Sequence, residues 1–199
     1  MKPKPPPVGG AFSEPHLHLR MMSSPTFLSG VREMVGSVCK RLGFTDMQCS
    51  QIALAIDEAL CNVMRHGYRR ASDKPIWVSL WSLDSAGMAV SPGAPAVPAA
   101  SGTVSELNAG STEPDAVRIV IEDLAEQVDP ACIKSRDLDD IRPGGLGVHI
   151  IKEVMDEAVY ERREGGVGMR LTMVKKRSSN KPTPPTTPNS TNSCGTPKP

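Results

Sequence analysis

Two apolar, strand-like runs, Ile76 to Leu83 and Val117 to Glu122, follow one another with no helical pattern between them. Parallel strands need a crossover connection, usually a helix, so these two are expected to pair antiparallel. The same holds for the runs Val159 to Arg162 and Met169 to Lys175 near the end of the chain. His16 to Met21 alternates polar and apolar residues and suits one more, half-buried strand.

The helical patterns lie outside these strand pairs. From Thr26 to Leu42, apolar residues recur at steps of three and four: Phe27, Val31, Met34, Val35, Val38 and Leu42. Gly43 fits a C-terminal stop. Thr45 or Asp46 is placed to cap a second helix running to about His66, with Ile52, Ile56, Leu60 and Val63 as its buried stripe. Gly147 to Met155 reads as a short third helix. Helices and strands are segregated in this way in the α+β class. The expected architecture is a two-layer sandwich, a mixed, mainly antiparallel sheet covered on one face by helices.

Composition limits what lies outside this core. Pro (19) and Gly (17) are both abundant, and they concentrate in stretches with little apolar surface to offset the entropy of ordering them. Residues 1–13, the Ala-, Pro-, Gly- and Ser-rich stretch at about 84–115, and the Ser/Thr/Pro-rich tail 178–199 are expected to be disordered. The folded domain is expected over 14–177, interrupted by that insertion. A formal net charge of +1 gives no electrostatic footprint for nucleic acid. No segment approaches the roughly 20 apolar residues that span a bilayer, and Met1 to Gly10 lacks the apolar stretch of a signal peptide. Five cysteines, none spaced C-x-x-C, fit reduced thiols better than a disulfide framework or a zinc site. These features point to a cytoplasmic protein without a membrane or nucleic-acid partner.

Four local patterns could carry chemistry. Glu58 and Asn62, four apart on the second helix, project from one side, away from its buried stripe. A carboxylate there can take a proton from a hydroxyl nucleophile, and an amide oxygen one turn away is a hard ligand for Mg²⁺. Gly144, Gly145 and Gly147 lead into the third helix, where backbone amides can meet phosphate. No Gly-Lys-Ser/Thr follows, so this is not a Walker A loop. Asp123 ends an apolar strand and could accept a hydrogen bond from an exocyclic amine. Thr172 sits in the last strand. Each pattern alone also fits an ordinary polar helix face, glycine turn or strand end.

Their order is more specific. Glu-x-x-x-Asn on a helix, a strand ending in Asp, Gly-Gly-x-Gly entering a helix, then Gly-x-x-Leu-Thr: this series resembles the ATP site of the histidine-kinase-like ATPases. Glu58 through Tyr68, and Gly144 through Val159, look most like the anti-sigma-factor serine/threonine kinases of that superfamily. The resemblance covers about Leu17 to Lys176 without the insertion.

The resemblance implies ATP and Mg²⁺ as cofactors. It implies Glu58 as catalytic base and Asn62 as the Mg²⁺ ligand. Asp123 would recognise adenine, Gly144, Gly145 and Gly147 would be phosphate-lid glycines, and Thr172 would line the adenine pocket. It implies a homodimer that sequesters a sigma factor and phosphorylates an anti-anti-sigma antagonist of the STAS type. One position departs from the family pattern: Ala125 stands where glycine is usual. If a left-handed backbone or a close approach to the adenine is needed there, alanine costs about 1 kcal/mol. That departure keeps a second reading open, a partner-switching module that binds ATP or nothing and only sequesters its partner. A phosphoacceptor sensor-kinase fragment is disfavoured, because none of His16, His18, His66 or His149 heads a two-helix hairpin.

Overall fold

The computed structural model describes residues 14–90, 114–133 and 146–178. The other residues, including Gly144, Gly145 and the tail from 179, lie outside the described part.

Five strands form one sheet: β1 (Leu17–Met22), β2 (Pro75–Leu83), β3 (Ala116–Glu122), β4 (Glu157–Arg162) and β5 (Met169–Lys176). Their spatial order is β1-β2-β3-β5-β4, and every neighbouring pair is antiparallel. The expected antiparallel pairings therefore hold, and among the described residues no parallel pair occurs.

Three helices cover one face: α1 (Leu28–Arg41), α2 (Asp46–Asn62) and α3 (Leu146–Val154). The start of α2 follows from its sequence. The Thr45 side chain accepts from the Gln48 backbone N–H while the Gln48 side chain accepts from the Thr45 backbone N–H, so two otherwise orphaned donors are met. Beyond Asn62 the coil widens into a π-turn, Val63–Gly67. The chain then leaves through Arg69 and Arg70, both at positive φ (50° and 68°). Non-glycine residues seldom adopt that conformation, which costs of order 1–3 kcal/mol each and concentrates at functional sites.

The core lies between helices and sheet. Ile52, Ile56 and Leu60 of α2 pack with Ile76, Val78 and Leu80 of β2, Ile119 and Ile121 of β3, and Leu171 and Met173 of β5. A second, smaller cluster of Trp81, Leu83, Ala116, Val120 and Val174 lies on the other face of the sheet. The central strands are thus buried on both faces, and their near-continuous apolar runs reflect it.

The edge of the expected insertion is ordered. Asp84 Oδ1 accepts from the N–H groups of Ala86 and Met88, and the Val90 N–H donates to the Ser82 carbonyl. Asp84–Val90 is therefore a turn that folds back on β2; residues 91–113 of the expected insertion lie outside the described residues. Among the described residues, no helix is long and apolar enough to cross a membrane. Cys39, Cys49, Cys61 and Cys132 are free thiols, as the cysteine spacing implied.

Candidate nucleotide site

A cavity of about 390 Å³ opens between the end of α2, the segment after β3, the start of α3 and the sheet. Asn62, Asp123, Ala125, Val148, Tyr160 and Met169 are among its lining residues. Asn62 and Asp123, 61 positions apart, one ending α2 and one just past β3, thus face a common space.

Asn62 and Glu58 meet α3 at one edge of this cavity. A Cβ built on Gly147 would lie 2.6 Å from Glu58 Oε2, 3.2 Å from Asn62 Nδ2 and 3.3 Å from Asn62 Oδ1. Gly147 does not adopt a left-handed φ, so what it contributes is space rather than backbone freedom. The Asn62 Nδ2 atom is buried without a hydrogen-bond partner among the described residues. Buried polar groups in native proteins nearly always have partners, so an orphan here marks a place for a ligand.

Asp123 is 4% exposed and held from three sides. Its Oδ1 accepts from the Ala125 N–H (2.8 Å) and the Met169 N–H (3.1 Å). Its own carbonyl oxygen accepts from the Arg163 guanidinium (2.9 Å). Burial pushes the carboxyl above its ordinary pKa, while the two N–H donors and the Arg163 charge act in the opposite direction. The preceding residue, Glu122, is buried on the opposite face of the sheet and ion-paired to Arg163 (3.3 Å) and Arg170 (3.0 Å). Arg163 also lies over the Trp77 ring, 5.7 Å from its centroid. One arginine therefore ties the end of β3 to the β4–β5 hairpin.

Gly168 completes that clamp. Its φ is +88°, its N–H donates to the Ala125 carbonyl, and a Cβ there would overlap the Asp123 carbonyl oxygen. Tyr68 holds the same segment from α2's side: its hydroxyl accepts from the Leu124 N–H (2.7 Å) and donates to the Pro75 carbonyl. Sequence reading did not place Gly168, Arg163 or Tyr68 in the site. Gly168 was legible only as the glycine of the Gly-x-x-Leu-Thr pattern.

Ala125 has no positive φ, so the conformational penalty raised by its sequence position does not arise. Its methyl is buried, and a Cβ on Gly67 would lie 3.0 Å from it, so Gly67 leaves the room that Ala125 fills.

Thr172 is placed differently from the expectation. It pairs with Val120 in β3, and Val120 belongs to the apolar cluster on the face away from the helices. Side chains alternate along a strand, so Met169, three positions earlier, points into the cavity while Thr172 points away. The pocket-lining role falls to Met169. Gly144 and Gly145 lie outside the described residues; Gly147 is in place beside Glu58 and Asn62.

The family model for the histidine kinase-like ATPase domain matches residues 21–175. The chain belongs to that family. It is similar to the serine-protein kinase RsbW of Staphylococcus epidermidis, at 23% identity over 174 residues, covering 82% of this chain and 90% of the relative. The enzyme of the same name from Staphylococcus aureus is 24% identical over 173 residues, covering 82% and 89%. The SiaB–SiaC complex from Pseudomonas aeruginosa contains a chain of the same fold, with a TM-score of 0.50 at 12% identity, covering 81% of this chain and 89% of that one. This family's fold is an α+β sandwich, as the element order led us to expect. Distant relatives are therefore named serine kinases, and the domain is of a kinase-like ATPase type.

Proposed function

We propose that the chain is an ATP-dependent serine/threonine protein kinase acting as an anti-sigma regulatory factor. It would phosphorylate an anti-anti-sigma antagonist and sequester a sigma factor, as a homodimer. The observation that carries the reading is the meeting of Glu58, Asn62 and side-chain-free Gly147 at the edge of the cavity that Asp123 lines.

The residues present fit ATP with Mg²⁺. The Asn62 amide oxygen is the hard donor Mg²⁺ prefers, and its buried Nδ2, which lacks an acceptor among the described residues, could meet a phosphate oxygen. Gly147 leaves the cradle open where a methyl would intrude. With Asp123 Oδ1 taken by two backbone N–H groups, Oδ2 is the oxygen left for an exocyclic amine. When bound, MgATP supplies the phosphoryl group and the charge neutralisation. The protein's part is positioning. Asp123 holds the base, Asn62 orients the metal end, and Glu58 accepts the proton of the antagonist's hydroxyl as it attacks.

The reading of a purely sequestering module drew its support from Ala125, which carries no backbone strain but does line the cavity. The experiment is Glu58→Gln, which keeps size and hydrogen bonding. ATP binding and partner binding should persist, while radiolabel transfer from ATP to an antagonist recovered by pull-down should fall by about 10² to 10⁴. Wild-type protein that binds ATP and partners yet transfers nothing would leave the sequestering module as the correct reading. Transfer by Glu58→Gln at the wild-type rate would remove Glu58 from the base role.

A further inference from the structure

The cavity is lined by a polar residue that the reading above does not use. Tyr160 lies on β4, paired with Leu171 of β5, and Leu171 packs in the helix-side core. Strand alternation therefore turns Tyr160 toward the helices, and it lines the same cavity as Asp123 and Asn62. Its hydroxyl oxygen is buried with no hydrogen-bond partner among the described residues. A buried hydroxyl left unsatisfied is destabilising, and native proteins keep few of them.

Register places this hydroxyl near the base-recognition end. Arg162 pairs with Met169, and the Met169 N–H is one of the two that hold Asp123 Oδ1. Tyr160 is two residues back along β4, roughly 7 Å in strand rise. We propose that the Tyr160 hydroxyl donates a hydrogen bond to a ring nitrogen of the purine whose exocyclic amine Asp123 accepts, which makes Tyr160 a base-specificity residue. This rests on the ATP reading. The two groups are complementary in kind: a buried carboxylate accepts from an amine, and a phenol donates to an unprotonated ring nitrogen. Burial pushes the phenol up to about 12, so it keeps its proton at neutral pH and remains a donor. The apolar walls beside it, Val148 and Met169, suit the faces of a planar ring.

The test is Tyr160→Phe, which removes one oxygen and keeps the ring. Calorimetric titrations would use MgATP and, as a probe without a base, inorganic triphosphate with Mg²⁺. ATP affinity should fall by about five- to tenfold, the ordinary worth of one buried hydrogen bond, with triphosphate affinity unchanged. The nucleotide-free melting temperature should hold or rise, because the variant loses an unsatisfied hydroxyl. Unchanged ATP affinity, as when only water meets the hydroxyl, would overturn the proposal. So would an equal loss for both probes, or a lower nucleotide-free melting temperature. Wild-type protein that binds no ATP would remove the ATP reading along with this one. Wild-type binding with an insensitive variant would remove this one alone.

Discussion

Replacing Gly147 with alanine adds one methyl at the point where α3 crosses α2, and the structure sets opposite expectations for stability and for activity. The new Cβ would lie 2.6 Å from Glu58 Oε2, too close to be tolerated unmoved. The atom it meets is the far end of a half-buried side chain, so Glu58 can swing away at a rotamer cost of about 0.5–1.5 kcal/mol. Alanine returns up to about 1 kcal/mol over glycine within a helix. The two nearly cancel, and the melting temperature should move by no more than a few degrees. Activity has no such compensation. The displaced atoms are the carboxylate and amide on which the proposed chemistry depends, and a misplacement of about 1 Å costs on the order of 10² in rate. Thermal melts with and without MgATP, beside radiolabel transfer, separate the two effects. Gly147→Ala should melt near the wild type without nucleotide, gain less from MgATP, and transfer about a hundredfold more slowly. A variant with wild-type transfer and a wild-type MgATP shift would refute the placement of Glu58 and Asn62 as working groups.

Gly168→Ala should behave in the opposite way. At φ +88° the alanine costs about 1 kcal/mol before its methyl meets the Asp123 carbonyl, so the nucleotide-free melting temperature should fall by several degrees and ATP binding should be lost. A melt within a degree of wild type would contradict that contact. Asp123→Asn should weaken ATP binding in calorimetry, because an amide donor then faces the donating exocyclic amine, yet should not destabilise the free protein at pH 7. The sign follows from linkage: the folded pKa of Asp123 is raised, so the folded state holds this proton more tightly than the unfolded chain. Ionisation therefore costs stability above the folded pKa, and that cost fades as pH falls through it toward the unfolded value. Urea midpoints for Asp123→Asn should match or exceed wild type at pH 7 and converge with it toward pH 4; a lower midpoint at pH 7 would show that the ionised carboxylate stabilises the fold.

Local sequence determined much of this protein. The three- and four-residue apolar steps of α1 and α2, a cap at Thr45 or Asp46 and the absence of a helical pattern between β2 and β3 each act over short range, and each was legible as such; the reciprocal bond from Gln48 emerged with the structure. Glu58 and Asn62 could be paired from the sequence because helix geometry puts residues four apart on one side. Tertiary structure alone decided what crosses between elements. β5 alternates, with Met169, Leu171 and Met173 on one face and Arg170, Thr172 and Val174 on the other; Thr172 was assigned to the pocket by family resemblance, whereas the packing of β5 puts Met169 there. Ala125 looked strained by its place in the motif, yet no positive φ falls on it. The described non-glycine residues that do take that conformation, Arg69 and Arg70, follow a π-turn that no residue pattern marked. Gly147 against Glu58 and Gly168 against Asp123 are contacts between residues far apart in the chain, and the burial of the unpartnered Tyr160 hydroxyl is likewise set by packing. Propensity and periodicity carry information about neighbours within a few residues, whereas a close approach between distant segments is set by how whole elements pack.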